Sequence, residues 1–518
     1  MGSSVCGRCM KESAVRILEL EVEKPVLGKA NFDSERLLKA LKKVLGESFL
    51  KISLYVLRKL PQVLREGGHK VWVILVKEEE GWIVSEIFSK KPERVLGVAI
   101  DLGSTSIAFY LYNFLEKKII KEYSILNPQI PMGEDILTRL HLAKKEENLN
   151  YIREITLESI NRELREIDGA SIFYVSLCGN TAMSHFVLGL PVNYLFVEPY
   201  VPCANWYGIF KKEEVGFEIH PEGRIFVFPS AGTYFGGDLV AGLYFSEIYK
   251  RERMSFFIDV GTNAEVVLGN KDFLLACAGA AGPALEGGIF DCGCQAKDGA
   301  IESIKIYPQV KKIEYQTIGT QKPVGICGSG VIELMAELFI KGILTPEGKF
   351  NLQSFPERFT EINEEKAFIV VPPEESATGK PIYIKASEVR SFIRSKGAMY
   401  TILSLLCEKL GISFDEVEGF YIAGSFGNHI KVEAAVDIGM LPEEALNKAY
   451  PLGNAAGKGA LKFLKEANLK EIKKIMETIT YLELNVEPRF MQLLTGALFF
   501  PHVNRNLFPT VMKKLKNF

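Results

Sequence analysis

Two stretches of this chain share an order of residue types suited to holding an anion. Asp101-Leu-Gly103-Ser104-Thr105-Ser106 closes one apolar run and opens another, and Asp259-Val-Gly261-Thr262-Asn263 does the same. Glycine lets the main chain approach a ligand closely, and such a turn directs backbone N–H groups at a negative group. The side chains of Ser104, Thr105, Ser106, Thr262 and Asn263 add donors. An aspartate at the end of a strand can hold Mg²⁺ through water or orient an attacking water. Two such hairpins facing each other would grip a polyphosphate from both sides. A third glycine turn, Ala423-Gly424-Ser425-Phe426-Gly427-Asn428, would let a flat ring and its sugar lie against backbone. A single Asp-x-Gly-Ser/Thr turn is more often a plain β-turn, and the third turn alone also reads as a helix entry. The phosphate reading rests on the two matched copies together with the third turn.

These residues need strands to carry them. VLGVAIDLGSTSIAFYLYNF from Val95 and SFFIDVGTNAEVVL from Ser255 are copies of one strand–turn–strand unit, about 158 residues apart. That distance far exceeds any solenoid period, so it predicts a duplicated α/β architecture with two lobes. VRSFIRSKGAMYTILSLLCEKLG predicts a long helix before the third turn. Upstream, SERLLKALKKVLG and YVLRKLPQVLREGG have helical periodicity, and HKVWVILVKEEEGWIVSEIF reads as a hairpin, which together make a small α+β unit. The expected boundaries are 1–22 for an N-terminal piece and 23–93 for the small α+β domain. A two-lobed domain would follow over 94–518, with lobe one about 94–250, lobe two about 251–501 and a tail over 502–518.

Composition narrows the class. The 518 residues are 47% apolar and 24% charged, an ordinary globular mix able to bury several cores. With 62 basic and 64 acidic residues the net charge is −2, which argues against nucleic acid or an anionic membrane as the main partner. No apolar window is long enough to cross a bilayer, and the first residues lack an apolar run of signal-peptide type. The nine cysteines are scattered and odd in number, unlike a secreted disulfide framework, so a cytoplasmic location is expected. Cys6-x2-Cys9 and Cys292-x-Cys294 are the close pairs, and the second reads more simply as two buried thiols than as ligands. The six histidines form no metal-binding spacing; His185 and His429 adjoin motif segments and read first as packing residues. The basic tail NRNLFPTVMKKLKNF reads as a docked terminal helix.

The three turns resemble the phosphate-1, phosphate-2 and adenosine motifs of the acetate and sugar kinase, chaperone ATPase and actin superfamily. More narrowly, residues 95–501 resemble the ATPase domain of the reductive activators of corrinoid proteins. The matching stretches include IDLGSTS, NPQIPMGEDILTR, CGNTAMSHFVLGLP, GGDLVAGL, IDVGTNAE, AGPALEGGIFDCG, YIAGSFGNHI and PLGNAAGKGA, in order. Residues 23–93 resemble the segments that precede that domain. The resemblance implies a two-lobed, actin-like ATPase of duplicated ribonuclease H-like domains behind a small α+β domain. It also implies ATP and Mg²⁺ as cofactors, a corrinoid or other metalloprotein as partner, and a homodimer. Asp101, Asp259 and Thr262 would be catalytic, with Asp101 and Asp259 on Mg²⁺. Gly103, Ser104, Thr105, Gly261, Thr262 and Asn263 would hold phosphates, and Ala423, Gly424, Ser425 and Gly427 would border the nucleoside. Asp238 and Glu286 are further acidic candidates, each also readable as a structural cap or turn residue.

The related activators carry an N-terminal [2Fe–2S] domain with C-x4-C-x2-C spacing and a distant fourth cysteine. Here Cys6 and Cys9 fit only its second and third ligands, and Met1 stands where the first would fall. The N-terminal piece therefore reads as a truncated or degenerate remnant of a ferredoxin-like segment: either the chain begins late or it has lost its own cluster. Its two cysteines are vestigial, or they share a cluster or metal across a homodimer, or they form another metal or redox pair. Electrons would then come from a separate protein. Two other functions fit the same turns: a small-molecule kinase of the superfamily, and a nucleotide-gated scaffold without catalysis.

Overall fold

The computed structural model describes residues 13–28, 32–46, 49–133, 135–261, 264–279, 288, 290–424, 430–484 and 487–516. The chain divides into two compact units. Unit 1 comprises 1–245 and 456–477, and unit 2 comprises 246–455 and 478–518.

Unit 1 begins with a four-stranded sheet of order β1-β3-β4-β2, formed by Val15–Glu21 (β1), Leu50–Ile52 (β2), Lys70–Lys77 (β3) and Trp82–Phe88 (β4). β3 and β4 are the antiparallel hairpin expected from the sequence. The helices Asp33–Leu45 and Leu54–Glu66 place Leu37, Leu41, Val56, Leu60 and Leu64 at helical spacing on a core with Val71, Val73, Leu75 and Val84. Each such side chain contributes about 1.5–3 kcal/mol by leaving water. The Ser53 hydroxyl caps the second helix by accepting from the Val56 amide at 3.2 Å. β1 lies in the piece assigned to residues 1–22, yet it pairs with β3 along its whole length.

The larger sheet of unit 1 is built from Leu96–Leu102 (β5), Ser106–Asn113 (β6), Lys118–Leu126 (β7), Ile172–Gly179 (β8), Gly208–Lys211 (β9) and Arg224–Val227 (β10), in the order β7-β6-β5-β8-β10-β9. β5, β6 and β7 form an antiparallel meander, while β8 is parallel to β5 and β10 is parallel to β8. β8 is buried throughout and reads as a continuous apolar run, as a strand covered on both faces must. The small sheet is bonded to this one. Arg224 Nε donates to Glu78 at 2.7 Å, Ser85 Oγ donates to the Glu222 carbonyl at 3.1 Å, and buried His220 meets buried Glu86 at 3.3 Å.

The helix Ala455–Glu466 supplies residues 456–466 to unit 1 although unit 2 precedes it in sequence. Phe463 stacks on Phe226 of β10 with ring centroids 4.0 Å apart. Lys462 Nζ donates to the Tyr244 carbonyl at 2.8 Å. A Cβ on Gly459 would stand 2.0 Å from the Ala241 carbonyl oxygen, so only glycine lets this helix meet the helix Gly237–Ser246 so closely.

Unit 2 repeats the plan. Its main strands are Ser255–Val260 (β11), Ala264–Gly269 (β12) and Leu274–Gly279 (β13). Ala300–Tyr307 (β14), Lys312–Thr317 (β15) and Gly325–Ile326 (β16) form a second sheet, and Phe359–Ile362 (β17), Glu365–Val371 (β18) and Ile382–Lys385 (β19) a third. Gly419–Ala423 (β20), Ala449–Gly453 (β21) and Ile479–Leu482 (β22) complete the main sheet, whose order is β21-β20-β11-β12-β13-β22. β11, β12 and β13 are again an antiparallel meander, β20 is parallel to β11, and β21 is parallel to β20. Strand for strand this reproduces β5, β6, β7, β8 and β10, so the duplication inferred from two short turns extends over five strands. The long helix Ala386–Leu410 buries Phe392, Met399, Leu403 and Leu406 in the core of unit 2. The terminal helix Pro509–Lys516 is docked in unit 2, where Lys514 Nζ donates to both Asp437 carboxylate oxygens at 2.8 Å.

Candidate functional site

In unit 1, Asp101 is the penultimate residue of β5 and sits beside Cys178 of parallel β8. The Cys178 thiol donates to Asp101 Oδ1 at 3.8 Å. Burial, and then the charges of Asp101 and Asp238, push this thiol well up, so it stays protonated. Asp238 lies in the first turn of Gly237–Ser246, and its Oδ1 accepts from the Leu239 amide at 2.8 Å. Burial raises the Asp238 carboxyl, the Asp101 charge adds to this, and it is pushed up to about 7. Unit 1 thus sets Asp101 next to a carboxyl, that of Asp238, which burial keeps partly protonated near neutral pH. Sequence reasoning found both aspartates but not Cys178, whose place beside Asp101 follows from parallel strand register alone.

Tight glycines hold the surrounding turns. A Cβ on Gly103 would lie 2.7 Å from the Ser106 carbonyl oxygen, which fixes the turn between β5 and β6. Ser104 and Thr105 are half-buried in that turn and Ser106 is exposed. A Cβ on Gly236 would lie 2.4 Å from Asn180 Cα, and Thr181 Oγ1 donates to the Gly232 carbonyl at 2.7 Å. These contacts bring the turn before Asp238 against the first turn of the helix Thr181–Leu188. His185 of that helix is fully buried, with Nδ1 2.8 Å from the Pro191 carbonyl, and burial pushes it down, so it is a neutral packing residue.

In unit 2, Asp259 of β11 stands in register with Ala423 of β20 and with Glu265 of β12. Gly424 follows β20 with φ +88°; a Cβ there would lie 2.4 Å from the Val260 carbonyl oxygen and 2.8 Å from Asp259 Oδ1. The second phosphate-type turn and the third glycine turn therefore touch through a missing side chain. The Gly424 amide also donates to the Gly453 carbonyl at 3.0 Å, which ties in the strand β21. The structure so brings together Asp259, Ala423 and Gly424, and Gly261 is the first residue after β11. Thr262, Asn263, Glu286, Ser425, Gly427 and His429 lie outside the described residues, as do Cys6 and Cys9.

Cys292 Sγ accepts from the Tyr383 amide at 3.4 Å, and burial raises its thiol. Burial likewise pushes Cys294 up to about 11. Among the described residues no group of three or more His, Cys, Asp or Glu is arranged to hold a metal ion. No described helix is long and apolar enough to cross a membrane.

The corrinoid activation enzyme RamQ of Eubacterium limosum is 33% identical over 445 residues, which cover 82% of this chain and 74% of that protein. The chain belongs to the reductive activators of corrinoid proteins. Three family regions account for most of its length. Residues 9–94 match the RACo linker region, 96–251 the RACo middle region, and 253–512 the C-terminal domain of RACo, described as the ASKHA domain. A methylated-amine-specific Co(II) corrinoid protein reductase of Methanosarcina barkeri is 24% identical over 74% of this activator and 73% of its own length. A solved reductive activator for a corrinoid, iron-sulfur protein superposes with a TM-score of 0.88 at 31% identity, covering 98% of this chain and 82% of its own. The activator therefore has the actin-like ASKHA fold behind a small α+β domain, as its paired five-strand topology also requires.

Proposed function

We propose that this activator binds and hydrolyses ATP to drive the reductive reactivation of a corrinoid protein held in the Co(II) state. The single observation that carries the reading is the doubled strand–turn–strand unit, with its aspartate and bare glycine, in a chain whose relatives activate or reduce corrinoid proteins. Glycine at 103 and 424, where a Cβ would strike the Ser106 and Val260 carbonyl oxygens, keeps both turns tight, as turns that present backbone to a phosphate and a nucleoside must be. In unit 1, Asp101, Gly103, Ser104 and Thr105 would hold phosphate. In unit 2, Asp259, Gly261, Thr262 and Asn263 would do so, and Ala423, Gly424, Ser425 and Gly427 would border the nucleoside. Asp101 and Asp259 would take Mg²⁺ through water, and Asp238 would hold or return a proton beside Asp101. When bound, ATP with Mg²⁺ supplies a phosphoanhydride whose cleavage releases free energy.

That energy has to reach a redox couple. About 3 kcal/mol of differential binding between two states of a partner shifts its one-electron couple by about 130 mV. An activator that binds one partner state better than the other supplies this without passing an electron through the nucleotide. Electrons come, on this reading, from a separate donor, and the working form is a homodimer. Iron analysis of anaerobically purified protein decides the place of Cys6 and Cys9; a colourless, iron-free chain removes a shared cluster. The function is tested by ATP turnover with and without an added Co(II) corrinoid protein. Turnover rises on addition, and Asp259→Ala abolishes the rise; no stimulation by any corrinoid protein overturns the reading.

A further inference from the structure

Behind the first glycine turn lies a fully buried polar network that belongs to none of the expected site residues. Asn127, Gln129, Arg139 and Thr156 are each at most 1% exposed. Their donors converge on the carbonyl oxygens of the turn. Asn127 Nδ2 donates to Gly103 O at 2.7 Å, Arg139 Nη1 to Ser104 O at 2.7 Å, and the Asn127 amide to Thr105 O at 2.9 Å. The network also braces itself. Asn127 Oδ1 accepts from the Gln129 amide at 2.8 Å, Gln129 Nε2 donates to Thr156 Oγ1 at 2.8 Å, and Thr156 Oγ1 donates to the Ile152 carbonyl at 2.6 Å. Arg139 Nε is anchored on the Gly133 carbonyl at 2.7 Å.

Three consecutive carbonyls are thus held from one side. The cis peptides among the described residues are Glu198–Pro199 and Phe500–Pro501, so the peptides after Gly103, Ser104 and Thr105 are trans. In a planar trans peptide the N–H points opposite to the C=O. Fixing the three oxygens therefore aims the amides of Ser104, Thr105 and Ser106 away from the network. Successive amides aimed in this way make an anion-binding concavity. The guanidinium adds a buried positive charge directly behind it, in surroundings where charge acts over short range with little screening.

We propose that Asn127 and Arg139 are positioning residues that build the phosphate-binding face of this turn from its backbone amides, so that affinity for the polyphosphate depends on two side chains that never touch it. This rests on the nucleotide reading given above and assigns a part to the NPQIPMGEDILTR stretch. It separates the phosphate tail from the nucleoside, because the carbonyls that Asn127 and Arg139 hold are those of the Gly103–Thr105 turn.

The test is calorimetric binding of ATP and of adenosine to the full chain, wild type against Arg139→Ala and Arg139→Lys. Arg139→Ala weakens ATP by about 30-fold, the range for losing charged hydrogen bonds, and changes adenosine by less than about twofold. Added guanidinium at low millimolar concentration restores part of the ATP affinity of Arg139→Ala and does nothing for wild type. Arg139→Lys keeps the charge without the planar fork and loses about tenfold for ATP, which serves if the alanine variant does not fold. Equal loss of ATP and adenosine, or unchanged ATP affinity in a folded variant, overturns the positioning role. Failure of the wild type to bind any nucleotide overturns the underlying reading as well, and is distinguished by the wild-type titration alone.

Discussion

Gly424 offers a direct test of how β20 meets β11 beside Asp259. Replacing it with alanine imposes two separate costs. The first is backbone strain, because an L-residue at φ +88° pays about 1–2 kcal/mol. The second is steric, since the new Cβ would stand 2.4 Å from the Val260 carbonyl oxygen and 2.8 Å from Asp259 Oδ1, and main chain gives way poorly. Overpacking of this kind costs about 1–3 kcal/mol. Gly411, which ends the long helix of unit 2, has φ +65° and nothing within 4 Å of its would-be Cβ, so Gly411→Ala meets the first cost alone. The difference between the variants, about 2 kcal/mol, corresponds to about 4–8 °C of melting temperature for a unit of this size. Scanning calorimetry of the two full-length variants reads it. Gly424→Ala must also displace the Asp259 carboxylate, so corrinoid-stimulated ATP turnover falls in that variant and survives in Gly411→Ala. Equal melting temperatures together with intact turnover in Gly424→Ala would refute the close contact and its part in the site.

Other perturbations address unit 1. Burial alone would raise the Glu86 carboxyl, but hydrogen bonds from His220, Lys59 and the Ile87 amide outweigh it and hold the group below the ordinary glutamate value. A depressed carboxyl stabilises above its unfolded pKa and loses that stabilisation as pH falls through its folded one. Wild type should therefore lose stability below about pH 4.5, whereas Glu86→Gln should show a shallower acid limb and be about 2 kcal/mol less stable at pH 7, as urea titrations between pH 3 and 8 will show. Phe463→Ala removes the ring stacked on Phe226 and should cost about 3–5 kcal/mol by chemical denaturation. Gly459→Ala forces two helices apart at the Ala241 carbonyl and should cost about 1–3 kcal/mol in the same assay.

Much of the architecture could be read before any coordinates, because its signals are local. The hairpin β3–β4 and the paired turns after β5 and β11 are each marked by apolar runs broken at glycine, and the helices of the small domain by their periodicity. The pairing of β1 with β3 was hidden, since VRILELE joins a strand about 50–60 residues away and strand partners so distant leave no local mark. The return of residues 456–477 to unit 1 was hidden for the same reason; it depends on Phe463 finding Phe226. Within the site, the aspartates and glycines declared themselves by type. Asn127 and Arg139 did not, because what they hold is main-chain carbonyl, which every residue possesses. Cys178 belongs to no close cysteine pair, and its closeness to Asp101 emerges from sheet register.

The discontinuous make-up of unit 1 bears on how the protein is born. A ribosome that has just released Phe245 has made most of unit 1, but roughly 210 residues must still be added before the segment from 456 onward emerges. At about 5–20 residues per second this is about 10–40 s during which the face of β10 that Phe463 will cover has no lid. A nascent chain stalled within unit 2 should accordingly recruit chaperones and be cut by protease in unit 1, and one extended past residue 477 should resist.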